Sequence, residues 1–323
     1  MTLSSTRHLV DPELLGVIDA RGSFALTAEM LPLARKGFGL PYAASPEAIA
    51  GTDMTVHIAA GRKGDPDVQV RFYRPKDNTA DLACILHMHG GGFVVGNTQA
   101  HEAAHRTLSW DLQCAVASVE YRLAPETPFP GPVEDGYAAL AWLWSAAGSL
   151  GVDRSRTGVS GESAGGGLAA GLALLARDRG EFALAFQHLT YPMIDDRTCT
   201  RPDQNAFTGE FIWTRASNRF GWTSFLGMEP GGDNVSPYAA AARATNLVGL
   251  PPTFIATGAL DLFVDENLQY ATRLIGAGVP TELHVYPGAY HGFGYSPQAA
   301  VTLKSQRDSR DALSRWFAVD AAA

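Results

Sequence analysis

The chain has 323 residues, 46% of them apolar, with 25 basic and 33 acidic side chains and a formal net charge of −8. That length and apolar content suit one large core, because a single large sheet can run past the usual domain length without dividing. The acidic balance and the lack of a basic cluster exclude nucleic acid as an expected partner. Cys84 and Cys114 fall in predicted strands and Cys199 in a loop, an odd count without short-range spacing that argues for a reducing compartment over a disulfide framework. Residues 1–10 lack the basic-then-apolar layout of a signal peptide, and the apolar run 164–176 falls short of the roughly 20 residues a membrane span needs. A cytoplasmic protein without a membrane partner is expected.

In chain order, residues before about 50 read as short amphipathic helical stretches broken by Pro12, Pro32, Pro41 and Pro46, lying outside any sheet. A strand pair follows at 53–60 and 67–74, then a central strand at 82–88 and another at 114–120. A helical stretch at 133–150, a short buried strand at 156–160 and a Gly, Ala and Leu helix at 164–176 come next. After a strand at 184–189 the pattern lapses between 195 and 232 into a segment rich in Phe and Trp, including Phe207, Phe211, Trp213, Phe220, Trp222 and Phe225. Strands at 252–260 and 281–286, a helix to Ala277 between them and a last helix ending near Phe317 complete the chain. The alternation predicts a mostly parallel sheet covered by helices.

Two motifs carry chemistry. Gly161-Glu162-Ser163-Ala164-Gly165 is expected by chance about 0.2 times in such a chain and is weak alone, whereas a His followed by three Gly, as in His89-Gly90-Gly91-Gly92, is expected about 0.01 times. The first sits between a predicted strand and a helix, where a tight turn with small flanking residues pushes a serine hydroxyl clear of the backbone. The second lies just past the carboxyl end of a central strand, where ligands bind in α/β sheets. Its glycines leave backbone N–H groups unobstructed to face a developing oxyanion, so Gly91, Gly92 and Ala164 are the expected donors. A serine nucleophile needs a base, and the base needs an orienting carboxylate. After Ser163, Asp261 and His291 each follow a predicted strand, in that order. Asp265 competes for the acid's role, but with Glu266 it opens a helix, where a carboxylate favours the N-terminus for its own sake.

These motifs together identify the chain as similar to the hormone-sensitive-lipase-like esterases of the α/β-hydrolase superfamily. The matching pieces are His-Gly-Gly-Gly-Phe at 89–93, Tyr-Arg-Leu-Ala-Pro-Glu at 121–126, Gly-Glu-Ser-Ala-Gly-Gly at 161–166, Asp-Leu-Phe-Val-Asp-Glu at 261–266 and His-Gly-Phe at 291–293. The family usually has Asp-Pro-Leu where this chain has Asp261-Leu262-Phe263, and often Asp at Glu162. The resemblance implies an α/β-hydrolase fold with nucleophile Ser163, acid Asp261 and base His291. It further implies a helical cap built from residues 1–50 and 195–232 over a core of 51–194 and 233–323. Phe93, Trp213 and Trp222 are the expected substrate-binding walls. The expected reaction is hydrolysis of short to medium acyl esters through an acyl-enzyme, without cofactor or metal. A small-molecule ester is then the partner, and a homodimer stays open. The C-terminal half also resembles bacterial esterases acting on acetylated aromatic or alkaloid alcohols.

Two other readings stand beside this one. Relatives that serve as hormone receptors in plants have lost the catalytic His, so the presence of His291 argues against a pure binding role. His101-Glu102-Ala103-Ala104-His105 matches the His-Glu-x-x-His of zinc peptidases and would place both His on one helix face. A zinc site needs a third ligand, and nothing downstream recommends one. The stretch therefore reads as the helix after the oxyanion loop, with His87 structural, since a His87/His89 metal pair would destroy that turn.

Overall fold

A computed structural model describes residues 5–21, 25–37, 43–62 and 64–318. Its strands are β1 (Thr52–Ala59), β2 (Val68–Pro75), β3 (Leu82–Met88), β4 (Ala115–Glu120), β5 (Val152–Glu162), β6 (Gln187–Thr190), β7 (Thr253–Gly258) and β8 (Thr281–Tyr286). They form one eight-stranded sheet in the order β1-β2-β4-β3-β5-β6-β7-β8. β2 runs antiparallel to β1 and β4, and the other pairs are parallel. The helices are α1 (Leu15–Arg21), α2 (Leu31–Gly37), α3 (Pro46–Gly51), α4 (Glu102–Leu112), α5 (Gly131–Leu150), α6 (Ala164–Arg179), α7 (Arg215–Leu226), α8 (Val264–Gly276) and α9 (Ala300–Phe317).

All of β3 is buried, as a strand covered by helices on both faces requires, whereas edge strand β1 is exposed along most of its length. Leu86 and Met88 of β3 join the main core with α5 and α6, while Ile85 faces a smaller cluster with Cys114, Phe186 and Leu313. Period-2 alternation thus sends the odd residues of β3, Ile85 and His87 among them, to the α4 and α9 side. β5 begins earlier than the buried run at 156–160 suggests. Its first residues include the polar Asp153, Arg154 and Ser155, and its pairing with β3 shifts register between Leu82 and Cys84.

The segments expected to form a cap meet each other. Glu210 accepts hydrogen bonds from the Thr6 N–H at 2.6 Å and from the hydroxyls of Ser5 and Thr6, both at 2.5 Å. The Leu26 N–H donates to Ser217 Oγ at 2.9 Å. Residues 1–4, 22–24 and 38–42 of the expected N-terminal cap piece lie outside the described residues. Among the described residues no helix is long and apolar enough to cross a membrane, and Cys84, Cys114 and Cys199 are buried and unbridged.

Candidate active site

Ser163 ends the β5-to-α6 turn with φ 56° and ψ −124°, a conformation that costs an ordinary side chain about 1–3 kcal/mol and survives only where its surroundings enforce it. Part of that enforcement is the close pass of Gly165, where a Cβ would lie 2.0 Å from the Met88 carbonyl oxygen of β3. The turn points the hydroxyl at His291. Ser163 Oγ lies 2.9 Å from His291 Nε2, and His291 Nδ1 lies 2.8 Å from Asp261 Oδ2. Asp261 is fully buried, and its other oxygen accepts the Phe263 N–H at 2.9 Å, so the carboxylate is fixed at both ends. The structure brings Asp261 to His291, whereas Asp265 stays in the first turn of α8, 3.4 Å from the Asn205 side-chain amide.

The glycine loop past β3 folds back on itself. The carbonyl of Gly91 accepts the N–H groups of Val94 at 3.1 Å and Val95 at 3.0 Å. Gly91 adopts φ 127°, open only to glycine, and a Cβ there would strike the Val95 carbonyl at 2.1 Å. Among the described residues, no protein acceptor meets the N–H groups of Gly91, Gly92 or Ala164. Gly91 and Gly92 line the cavity with Ser163 and His291, and Ala164 opens α6 directly after the nucleophile.

That cavity measures about 860 Å³, and its walls include Tyr191, Ile212 and Trp213. Trp213 lies directly against Gly92, with its ring 6.3 Å from that of His291, and its Nε1–H donates to Asn218 at 3.1 Å. Phe93 and Trp222, expected as pocket walls, are corrected here, because both side chains are fully buried and neither lines the cavity. Phe93 takes φ 67°, which turns its ring into the core to stack on Phe225 at 4.1 Å and meet Trp222 at 5.1 Å. Tyr191, which sequence reasoning missed, meets the His291 ring edge to face at 4.8 Å. Its place just past β6, level with the other strand ends, was the available signal.

Glu162 was legible only as a departure from the family's usual Asp. Its carboxylate accepts the Gly90 N–H at 2.7 Å and contacts His87 Nε2 at 2.8 Å, so it ties the oxyanion loop to the nucleophile's own strand. Burial opposes its charge, but His101, His87 and these hydrogen bonds outweigh that and hold its pKa well below the usual carboxylate range. Tyr121 supports the loop from below by donating to the His89 carbonyl at 2.6 Å. Burial lowers the pKa of His89, His101 and His188 to about 4 and holds that of His105 well below its ordinary value. Glu102 of the His-Glu-x-x-His match faces Arg106 at 2.9 Å and Arg71 at 3.7 Å. The two His of that match instead meet His87, from β3, in the one grouping of metal-capable side chains found among the described residues.

A family model described as the α/β-hydrolase fold matches residues 85–294, which include the glycine loop, Ser163, Asp261 and His291. This chain belongs to the α/β-hydrolase family. The relatives place this hydrolase in the hormone-sensitive-lipase-like branch and make it a carboxylic ester hydrolase. It is 36% identical over 234 residues to carboxylesterase NlhH of Mycobacterium tuberculosis, covering 72% of this chain and 73% of that one. It is 33% identical to esterase LipI of the same species over 292 residues, 89% of each chain. Its fold superposes on a solved bacterial heroin esterase with a TM-score of 0.88 at 38% identity, covering 98% of this chain and 100% of that one.

Proposed function

We propose that this esterase hydrolyses short to medium acyl esters, acetyl esters of aromatic alcohols among them, through an acyl-enzyme on Ser163. One observation carries the reading: an unbroken run of contacts from Asp261 through His291 to Ser163, 2.8 and 2.9 Å long, opening on a cavity. His291 Nε2 takes the hydroxyl proton as Ser163 Oγ attacks the ester carbonyl carbon. Asp261 accepts the Nδ1–H, which fixes the tautomer and stabilises the imidazolium that forms. The carbonyl π electrons move onto oxygen, and the N–H groups of Gly91, Gly92 and Ala164 receive that charge. The tetrahedral adduct then collapses, His291 protonates the departing alcohol, and the acyl group remains on Ser163. Water, deprotonated by His291 in turn, attacks the acyl-enzyme and releases the acid with Ser163 restored.

The substrate class rests on the walls of the cavity. Leu26 and Ala34 from the N-terminal segment and Ile212, Trp213 and Ser217 from the 195–232 segment line it together, which supports their reading as one cap. An apolar, partly aromatic roof over a serine favours ester groups that bury apolar surface. The likeness to a heroin esterase supports an acetylated aromatic alcohol. Ser163→Ala should abolish hydrolysis of p-nitrophenyl acetate while the circular dichroism spectrum is kept, and a serine-directed phosphonate should leave its adduct on the peptide carrying Ser163. An adduct on another residue, or substantial activity in the folded variant, would overturn the assignment.

A further inference from the structure

His101 is the N-cap of α4 and His105 follows one turn later on the helix, so their side chains share the face that α4 turns inward. His87, on β3, comes up against them from the sheet. All three are buried, and one nitrogen from each lies within 4.8 Å of the other two. The ring centroids of His87 are 4.4 Å from those of His105 and 5.2 Å from those of His101. Within this group His87 Nδ1 and both ring nitrogens of His105 have no hydrogen-bond partner, and His101 Nε2 has only its contact with the Glu162 carboxylate. Each such buried polar atom costs about 1–3 kcal/mol if nothing meets it. The three imidazoles and Glu162 also line the far wall of the cavity that holds Ser163 and His291, so the free nitrogens face a space that an ion can enter.

The carboxylate of Glu162 lies beside two of the three. One oxygen is 2.8 Å from His87 Nε2 and the other 3.3 Å from His101 Nε2. Donors each about 2.0–2.1 Å from a tetrahedral ion lie roughly 3.3 Å apart, so these separations are close to the edges of such a coordination shell. We propose that His87, His101 and His105, with the Glu162 carboxylate as fourth donor, form a binding site for a late first-row divalent metal ion of the zinc class. Three imidazoles and one carboxylate are a donor set that such ions prefer and that magnesium or calcium do not. Binding draws the imidazoles inward from their present spacing, and His87 would carry its proton on Nδ1 so that Nε2 offers its lone pair to the ion. With Glu102 held by Arg106, no base stands beside the ion, so the site is structural and separate from metallopeptidase chemistry. It ties β3, α4 and β5 together behind the oxyanion loop.

The test uses the full chain, stripped with a chelator, dialysed, and titrated with Co²⁺ and then Zn²⁺. One equivalent of Co²⁺ per chain should give the intense visible absorption of a four-coordinate ion, Zn²⁺ should displace it, and either metal should raise the thermal midpoint by mass action. His105→Asn should weaken binding by more than about 100-fold, beyond the roughly 10–100-fold that loss of an outer-shell partner costs. His101→Gln, which keeps a polar side chain, repeats the test should His105→Asn fold poorly, with phosphonate labelling of Ser163 reporting the folded fraction. His57→Gln, away from the cluster, should bind like the parent. Substoichiometric binding, only the weak bands of hexa-aqua cobalt, or unchanged affinity in folded His101→Gln would overturn the proposal. The optical readout involves no ester turnover, so its failure and that of the esterase mechanism are told apart.

Discussion

Trp213 and Trp222 lie nine residues apart in the segment that sequence reading treated as one aromatic wall, and replacing each with Ala should give opposite outcomes. Trp222 is fully buried against Phe93 and Phe225, so Trp222→Ala removes a core side chain and should cost about 3–5 kcal/mol of stability. With an unfolding entropy of about 2.1 cal/mol/K per residue, a chain of 323 residues loses roughly 4–7 °C in thermal midpoint for that cost. The profile of kcat/KM against acyl length should keep its shape. Trp213 lines the cavity beside Gly92 and His291, and its main polar tie is one hydrogen bond to Asn218. Trp213→Ala should therefore lower the midpoint by much less and change the length profile. Each methylene that loses its contact with the ring forfeits about 0.8 kcal/mol, or roughly fourfold in kcat/KM, accumulating along the chain. The assay is a p-nitrophenyl ester series from acetate to dodecanoate, with thermal unfolding of both variants. A uniform loss across all lengths in Trp213→Ala, or an altered length profile in Trp222→Ala, would refute the division of these residues between pocket and core.

Asp261→Asn should lower kcat by about 10⁴, because His291 loses the acceptor that fixes its tautomer, while Asp265→Asn should stay near the parent rate; comparable losses in the two would leave the acid unassigned. Stability should fall as the pH drops from about 6.5 to about 4, because His89, His101 and His188 have pKa values near 4 when folded and near 6.5 when unfolded, so the unfolded chain binds more protons across that window. Each contributes a slope of up to about 1.4 kcal/mol per pH unit, and urea unfolding that is flat over this range would contradict their burial as neutral rings.

The meeting of Ser163, Asp261 and His291 was legible in sequence because a doubly covered parallel sheet presents its chemistry at strand ends, and strand ends can be read from hydrophobic runs. β3 and β8 fall where their runs predict, at 82–88 and 281–286. Side-chain direction beyond the strand ends was not legible. Phe93 follows three glycines and could face cavity or core; its positive φ, set by the fold of the loop, sends it to the core. The same limit hid the histidine cluster. A third partner for His101 and His105 was sought downstream, yet it lay 14 residues before His101, on the strand beneath α4. Alternation along β3 puts His87 on that face, but only the packing of α4 there makes the fact matter. The early start of β5 was hidden for a related reason, since only Val152 of its first residues pairs with β3, and the polar residues after it fall in a register shift and lack the burial of a strand.

The strand order explains why motifs some 70 residues apart build one site. From β3 the chain crosses to β4 on one side, then returns past β3 to place β5 on the other, with Met88 beside Gly161 at the paired ends. The direction of winding reverses between β3 and β5, and at such a point the loops leaving two neighbouring strands diverge and open a crevice. One loop carries Gly91 and Gly92; the other carries Ser163. A crevice opened by diverging loops also tends to let them drift, and a nucleophile and oxyanion donors must stay in fixed relation to be useful. Glu162 answers that need, because it sits beside Ser163 on β5 and accepts the Gly90 N–H from the loop beyond β3. In this chain the residue just before the nucleophile is thus the brace across the switch point, and the longer reach of Glu than Asp lets one carboxylate meet the loop and His87 together.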